Sequence, residues 1–242
     1  MTTTVNFTKY SKSISLIFSM ILAAALLQPA QAQEFSLGAD IMNRYIWRGT
    51  DFGNSPSIQP SLTFITSGFE IGTWGAYPFS QQSFEAVEHD LYASYTIDTG
   101  NGSSFSLGVT DYYFPFGGVD FFNYDGNGAG AHMIEPYLSY TGPSSLPITV
   151  YGGIFAHNDP DNSIYLEVGY PVYSGDTSVY LTVGGTPLES AFYQTGTAGI
   201  MSINLSASRV LQITEALGLP LTASYILNPY HEQSFLLFGF RL

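Results

Sequence analysis

From Phe35 to Leu242 the chain is made of short segments in which every second residue is apolar. Phe35, Leu37, Ala39 and Ile41 alternate with Ser36, Gly38 and Asp40. Phe69, Ile71 and Thr73 alternate with Glu70, Gly72 and Trp74. Leu236, Phe238, Phe240 and Leu242 alternate with Leu237, Gly239 and Arg241. A period of two describes strands with two unlike faces. Twelve such strands are expected near residues 35–48, 57–65, 69–77, 87–98, 105–114, 132–140, 148–155, 164–171, 178–183, 198–208, 221–228 and 234–242. Most approach the ~9–11 residues that a tilted strand needs to cross hydrocarbon.

The connections alternate in length. Even-numbered ones are mostly tight turns, such as Asp98-Thr99-Gly100-Asn101-Gly102, and most odd-numbered ones are longer. Outer-membrane barrels have this asymmetry, with short periplasmic turns and long external loops. The expected fold is therefore all-β: a transmembrane antiparallel up-and-down barrel of about twelve strands, apolar outside and polar inside. Residues 209–220 are long for a turn. They hold either one helical turn or a longer tenth strand. No plug is expected ahead of the first strand.

The opening segment belongs to a different class. Lys9 and Lys12 precede an apolar or small stretch, Ser15 to Leu27, and Ala30-Gln31-Ala32 has the small-x-small cleavage pattern. The stretch of about 13 residues is shorter than the ~20 a spanning helix needs. Residues 1–32 thus read as a cleaved signal peptide and 33–242 as the barrel.

Removing that leader changes the charge. Four arginines (Arg44, Arg48, Arg209, Arg241) against nineteen acids leave −15, with no lysine. Nucleic acid, which needs a basic stripe, is excluded as a partner. There is no cysteine, hence no disulfide and no thiolate site. Aromatics at 16% and charged residues at only 10% suit a wall bathed in lipid.

The inward faces define the candidate site. A straight first strand with Tyr45 and Trp47 toward lipid turns Asp40, Arg44 and Arg48 inward, because an arginine facing hydrocarbon costs ~2–4 kcal/mol near the midplane. Glu70, Trp74, Asp90, Glu135, Glu167 and Arg241 fall on the same side. Together these nine are the expected pore-lining set. They form either a space-filling Arg–carboxylate network or a charged constriction that selects solutes. Inward Tyr92, Tyr112, Tyr137, Tyr151, Tyr165 and Tyr180 narrow the lumen further. Tyr45, Trp47, Tyr77, Tyr95, Tyr140 and Tyr170 are expected in outer aromatic girdles.

Other chemistry is poorly supported. Asp125-x-Asn127 starts like a calcium loop, but Ala129 and Pro136 occupy later ligand positions. No metal site and no cofactor is expected. His89, His132, His157 and His231 lack a fixed spacing to serine, and no Gly-x-Ser-x-Gly occurs, so no enzyme is expected.

The segment Asn43-Arg44-Tyr45-Ile46-Trp47-Arg48-Gly49, followed by Asp51-Phe52-Gly53 and Pro56-Ser57-Ile58-Gln59-Pro60, resembles the opening of the TorF-like family, proteobacterial outer-membrane proteins classed as porins. Trp74-Gly75 fits as well. The likeness is good over residues 35–74, and beyond it only pattern and length agree. Asn43 stands where the family commonly has Ser, without obvious consequence. The resemblance implies a barrel in the cell outer membrane of a Gram-negative bacterium and no particular substrate. Leu236, Phe238 and Phe240 resemble the terminal-strand signature read by the outer-membrane assembly machinery, although Leu242 replaces the usual Phe. The functional expectation is a monomeric, narrow passive pore for small solutes, preferring cations or neutral molecules. A plugged structural or adhesive barrel with binding loops is the alternative, and an outer-membrane lipid hydrolase comes after it.

Overall fold

The computed structural model describes residues 33–80 and 86–242; the expected signal peptide over residues 1–32 lies outside them. The described residues contain no α-helix. Twelve antiparallel strands close into a barrel: β1 (Glu34–Met42), β4 (Ser57–Thr66), β5 (Phe69–Pro78), β6 (Glu88–Asp98), β7 (Ser104–Tyr113), β8 (His132–Thr141), β9 (Thr149–Ile154), β10 (Ile164–Ser174), β11 (Ser178–Thr186), β12 (Gly199–Thr214), β13 (Leu217–Asn228) and β14 (Gln233–Arg241). Each strand neighbours its sequence neighbours, and β1 pairs with both β4 and β14. The fold class expected from the alternation is the one observed.

The alternation sorts side chains as hydropathy predicts. Leu37, Leu62, Leu91, Leu107, Leu138, Leu166, Leu205, Leu236 and Phe238 stand exposed on the outer wall. Buried polar residues, among them Gln59, Ser94, Ser202 and Ser224, lie on the opposite faces of the same strands. The usual globular pattern is thus inverted, with the apolar residues outside and the polar ones within.

The seam between β1 and β14 is short, with Asp40, Ile41 and Met42 opposite Arg241, Phe240 and Gly239. Asn43 lengthens it. Its backbone N–H donates to the Phe238 carbonyl, its carboxamide N–H donates to the Leu236 carbonyl at 2.9 Å, and its Oδ1 accepts from the Phe238 N–H at 2.8 Å. Asn43 therefore extends the seam by one residue beyond the last paired position.

Two expectations change. Residues 209–220 hold no helical turn. The tenth barrel strand runs on to Thr214, paired with β13 through Thr214↔Leu217. The first strand, expected to continue to Arg48, leaves the wall at Met42. The next residues form a separate small hairpin, β2 (Ile46–Trp47) and β3 (Thr50–Asp51), paired as Ile46↔Asp51 and Trp47↔Thr50.

Candidate functional site

The small hairpin turns on Arg48 and Gly49, whose φ values are 50° and 78°. Two successive positive φ angles make the tight turn whose twist suits a two-residue hairpin. Glycine adopts this freely, whereas an arginine there needs compensation. The Phe52 N–H donates to the Tyr45 carbonyl at 2.8 Å, and Arg44 pairs with Asp51, which ties the base of the hairpin. Arg44 also donates to Asn54 Oδ1 at 2.5 Å.

The contacts of this hairpin locate it. Tyr45 packs on Trp74 of β5, with ring centroids 5.2 Å apart. Arg48 reaches Glu135 of β8 and Tyr151 of β9, and its guanidinium lies 4.3 Å from the ring of Tyr165 on β10. The Gly49 carbonyl accepts from Asn228 of β13 at 3.0 Å. A Cβ on Gly49 would lie 1.9 Å from the Met201 carbonyl of β12. Only a body on the barrel axis can touch six strands around the ring, so the β2–β3 hairpin folds into the lumen.

Arg48 is the centre of the arrangement. Its Nη1 donates to Glu135 Oε1 at 2.8 Å and to the Tyr193 hydroxyl at 2.6 Å. Its Nη2 donates to Glu135 Oε2 and to the Tyr151 hydroxyl, each at 3.0 Å. Tyr112 Oη donates to Glu135 Oε2 at 2.7 Å. The Arg48 side chain is 8% exposed and that of Glu135 0%. The ion pair is bidentate, and hydroxyls fill the remaining positions, the condition under which a buried pair tolerates desolvation. The Trp47 and Tyr165 rings flank the guanidinium at 4.2 and 4.3 Å. Tyr193 comes from the turn between β11 and β12, closed by Ser190 and Thr195, so a second loop also folds inward. Burial raises the Tyr193 phenol well above its usual range against the pull of Arg48, and it remains neutral.

Aromatic packing completes the closure. Tyr112, Phe155, Tyr165, Tyr193 and Met201 form a buried cluster, with Trp47, Phe114, Phe192 and Tyr230 against it. A void among Trp47, Phe52, Tyr112, Phe155 and Phe192 measures about 10 Å³, room for about one water molecule. This aromatic layer fills the interior around the Arg48–Glu135 pair.

The nine expected lining residues divide into groups. Arg48 and Glu135 meet as an ion pair. Arg44 follows the point where β1 departs from the wall and is paired with Asp51 and Asn54 within its own hairpin. Trp74 becomes the platform under Tyr45. Asp90 is buried beside Glu88, and its Oδ1 has no hydrogen-bond partner. Glu167 accepts from the Tyr165 hydroxyl at 3.1 Å rather than from an arginine. Arg241 donates to Asp40 at 3.0 Å and to Ser61 at 3.1 Å, across the seam. Glu70 is half-buried. Asp40, Glu70 and Arg241 belong to a wetter region toward the end that carries both termini.

The girdle expectation needs correcting in part. Tyr77 and Tyr170 lie exposed on the outer wall, but Tyr45 is only 7% exposed and sits inside, with Trp47. The outward direction holds only for a first strand that runs straight, and the hairpin ends that regularity. Sequence reasoning missed Tyr193, Phe155 and Glu88. The signal available for the first was Ala191-Phe192-Tyr193, a run of apolar and aromatic residues in what is otherwise a polar connection.

The connection between β7 and β8 packs its Phe121 and Tyr124 against His132. His132 is 1% exposed, with its ring stacked on Tyr124 (centroids 4.0 Å apart) and Tyr113 (5.3 Å). Its Nδ1 lies 2.8 Å from Asp111 Oδ1 and its Nε2 2.5 Å from the Phe121 carbonyl. Both ring nitrogens face oxygen acceptors, so this histidine is not aimed at a serine. Among the described residues no group of three or more His, Asp or Glu side chains could hold a metal.

No curated protein matches the chain. A family profile does, over residues 27–195, which takes in the inward hairpin, Glu135 and Tyr193. The chain belongs to that family, described as a bacterial protein of unknown function (Gcw_chp).

Proposed function

We propose that this protein is an outer-membrane β-barrel of the porin type whose lumen rests closed, held shut by its own first loop. The observation that carries this is the Arg48–Glu135 pair, buried across the axis inside an aromatic seal. The exposed apolar wall supports the membrane placement, and the cell outer membrane follows from the barrel together with an export leader. The TorF-like resemblance points the same way. In this reading the resting barrel is the plugged alternative, and the long loops are the parts free to bind at the cell surface. No cofactor and no catalytic step enters this reading. Assembly machinery would read the terminal strand β14 as it reads other barrels.

Withdrawing the hairpin would remove Arg48 from the interior and leave Glu88, Asp90, Glu135 and Glu167 lining it. Such a passage favours cations. Planar-bilayer recording tests the reading. The wild-type protein should carry no steady current, and deletion of residues 44–53 should open a narrow, cation-preferring conductance. A steady wild-type current equal to that of the deletion variant would refute closure.

A further inference from the structure

The outer wall from β1 through β4 to β8 is not smooth. A groove of about 400 Å³ runs down it from the end bearing the long loops. Leu37, Leu62 and Leu91 line its lower part, and these are 80%, 47% and 56% exposed. The relief arises at Gly75, on the outward face between Thr73 and Tyr77. A Cβ there would already come within 3.0 Å of the Glu88 carbonyl, so the wall cannot be filled at that point without displacing its neighbour.

The upper part of the groove is polar. Tyr77 Oη and His89 Nε2 lie 2.7 Å apart. Asp111 faces outward below them. A carboxylate on the outer wall is unusual, and one side of it is satisfied: both oxygens face His132 Nδ1, at 2.8 and 3.0 Å. The Asp111 side chain nevertheless stays 21% exposed toward the groove. An ionised carboxylate has about four acceptor positions, so capacity remains for a donor arriving from outside. In a hydrocarbon-facing wall that capacity is costly to leave empty.

We infer that this groove is a lipid-binding site for a phospholipid with an ammonium headgroup, its acyl chain along Leu37, Leu62 and Leu91 and its ammonium on Asp111. The inference rests on the proposed reading of the wall as lipid-facing. Charge selects the head. A primary ammonium supplies the missing donors, whereas a glycerol-type anionic head carries no cation to meet the carboxylate. Shape selects the tail, because an apolar trough continuous with the lipid-facing wall accepts a chain along its length.

Native mass spectrometry of the full chain in detergent tests this, titrating with phosphatidylethanolamine and phosphatidylglycerol. The wild type should retain one phosphatidylethanolamine per barrel, bound about tenfold more tightly than phosphatidylglycerol, as expected for one charge-assisted contact. Asp111→Asn should erase the preference, with folding checked by its heat-dependent gel mobility. Leu91→Trp, which fills the trough and leaves the Asp111–His132 pair alone, should weaken both lipids. Equal retention of both lipids by the wild type, or an unchanged preference in Asp111→Asn, would show unselected annular lipid only and overturn the site. Failure of the underlying reading looks different: the mature chain would stay dispersed and compact without any detergent.

Discussion

Replacing Glu135 by Gln probes the closure most directly. Four donors converge on this carboxylate: Arg48 Nη1 and Nη2, Tyr112 Oη and Tyr151 Oη, the last at 3.2 Å. A carboxamide keeps one acceptor oxygen and turns an NH2 toward groups that are themselves donors. At least two of the four bonds are lost, and contacts to a charged group contribute roughly 1.5–3 kcal/mol each. The sum agrees with the ~3–5 kcal/mol typical of breaking a buried ion pair on one side. Arg48 keeps Tyr193 and the faces of Trp47 and Tyr165 in both proteins, so these contacts cancel in the comparison. Taken at the lower end of that range, a loss of about 3 kcal/mol shifts the hairpin's docking equilibrium by about two orders of magnitude. The cost falls on docking and not on the barrel, because the wall's ladders do not pass through Glu135's side chain. The chain has two tryptophans, so Trp74→Phe leaves Trp47 as the sole reporter. In that background Glu135→Gln should red-shift the emission, raise acrylamide quenching and open a bilayer conductance. Leucine at both 48 and 135 should close it again, since an apolar pair of similar volume replaces a buried ion pair without penalty. A folded Glu135→Gln protein with Trp47 still shielded and no current would show that the ion pair does not hold the hairpin.

Three further outcomes follow from the geometry. Gly49→Ala forces a Cβ toward the Met201 carbonyl at a residue with φ 78°; it should release the hairpin and raise Trp47 quenching as Glu135→Gln does, while the circular dichroism of the barrel stays unchanged. Asn43→Ser removes both carboxamide bonds across the β1–β14 seam and should cost roughly 1–2 kcal/mol, read as a lower temperature for loss of the compact gel band. Leu166→Arg places a charge on the outer wall, where Leu166 is 48% exposed; refolding into liposomes should be weakened by ~2–4 kcal/mol, and undiminished insertion would argue against a lipid-facing wall.

Much of this molecule is legible along its chain because β structure in a barrel is locally encoded. The side-chain period is two, one face is apolar, and the partner strands are sequence neighbours. The strands, their outward residues and the closed architecture need no long-range information beyond the first and last strand finding each other. The inward direction of Glu135, Glu167 and Arg241 follows from the same alternation.

What lies inside the barrel obeys different rules. Alternation assigns a face only while the strand runs straight, and nothing between Met42 and Tyr45 announces that the chain leaves the wall. Past that point Tyr45 and Trp47 point into a core, and Arg48 sits on a turn. Arg48 and Glu135 are separated by 87 positions, and Arg48 and Tyr193 by 145. Their meeting depends on ring closure, which brings β8, β9 and β10 around one axis at one height. The same closure distinguishes a dry, satisfied ion pair from a charged constriction. Composition cannot separate those two, because both use the same residues and differ only in whether water reaches them.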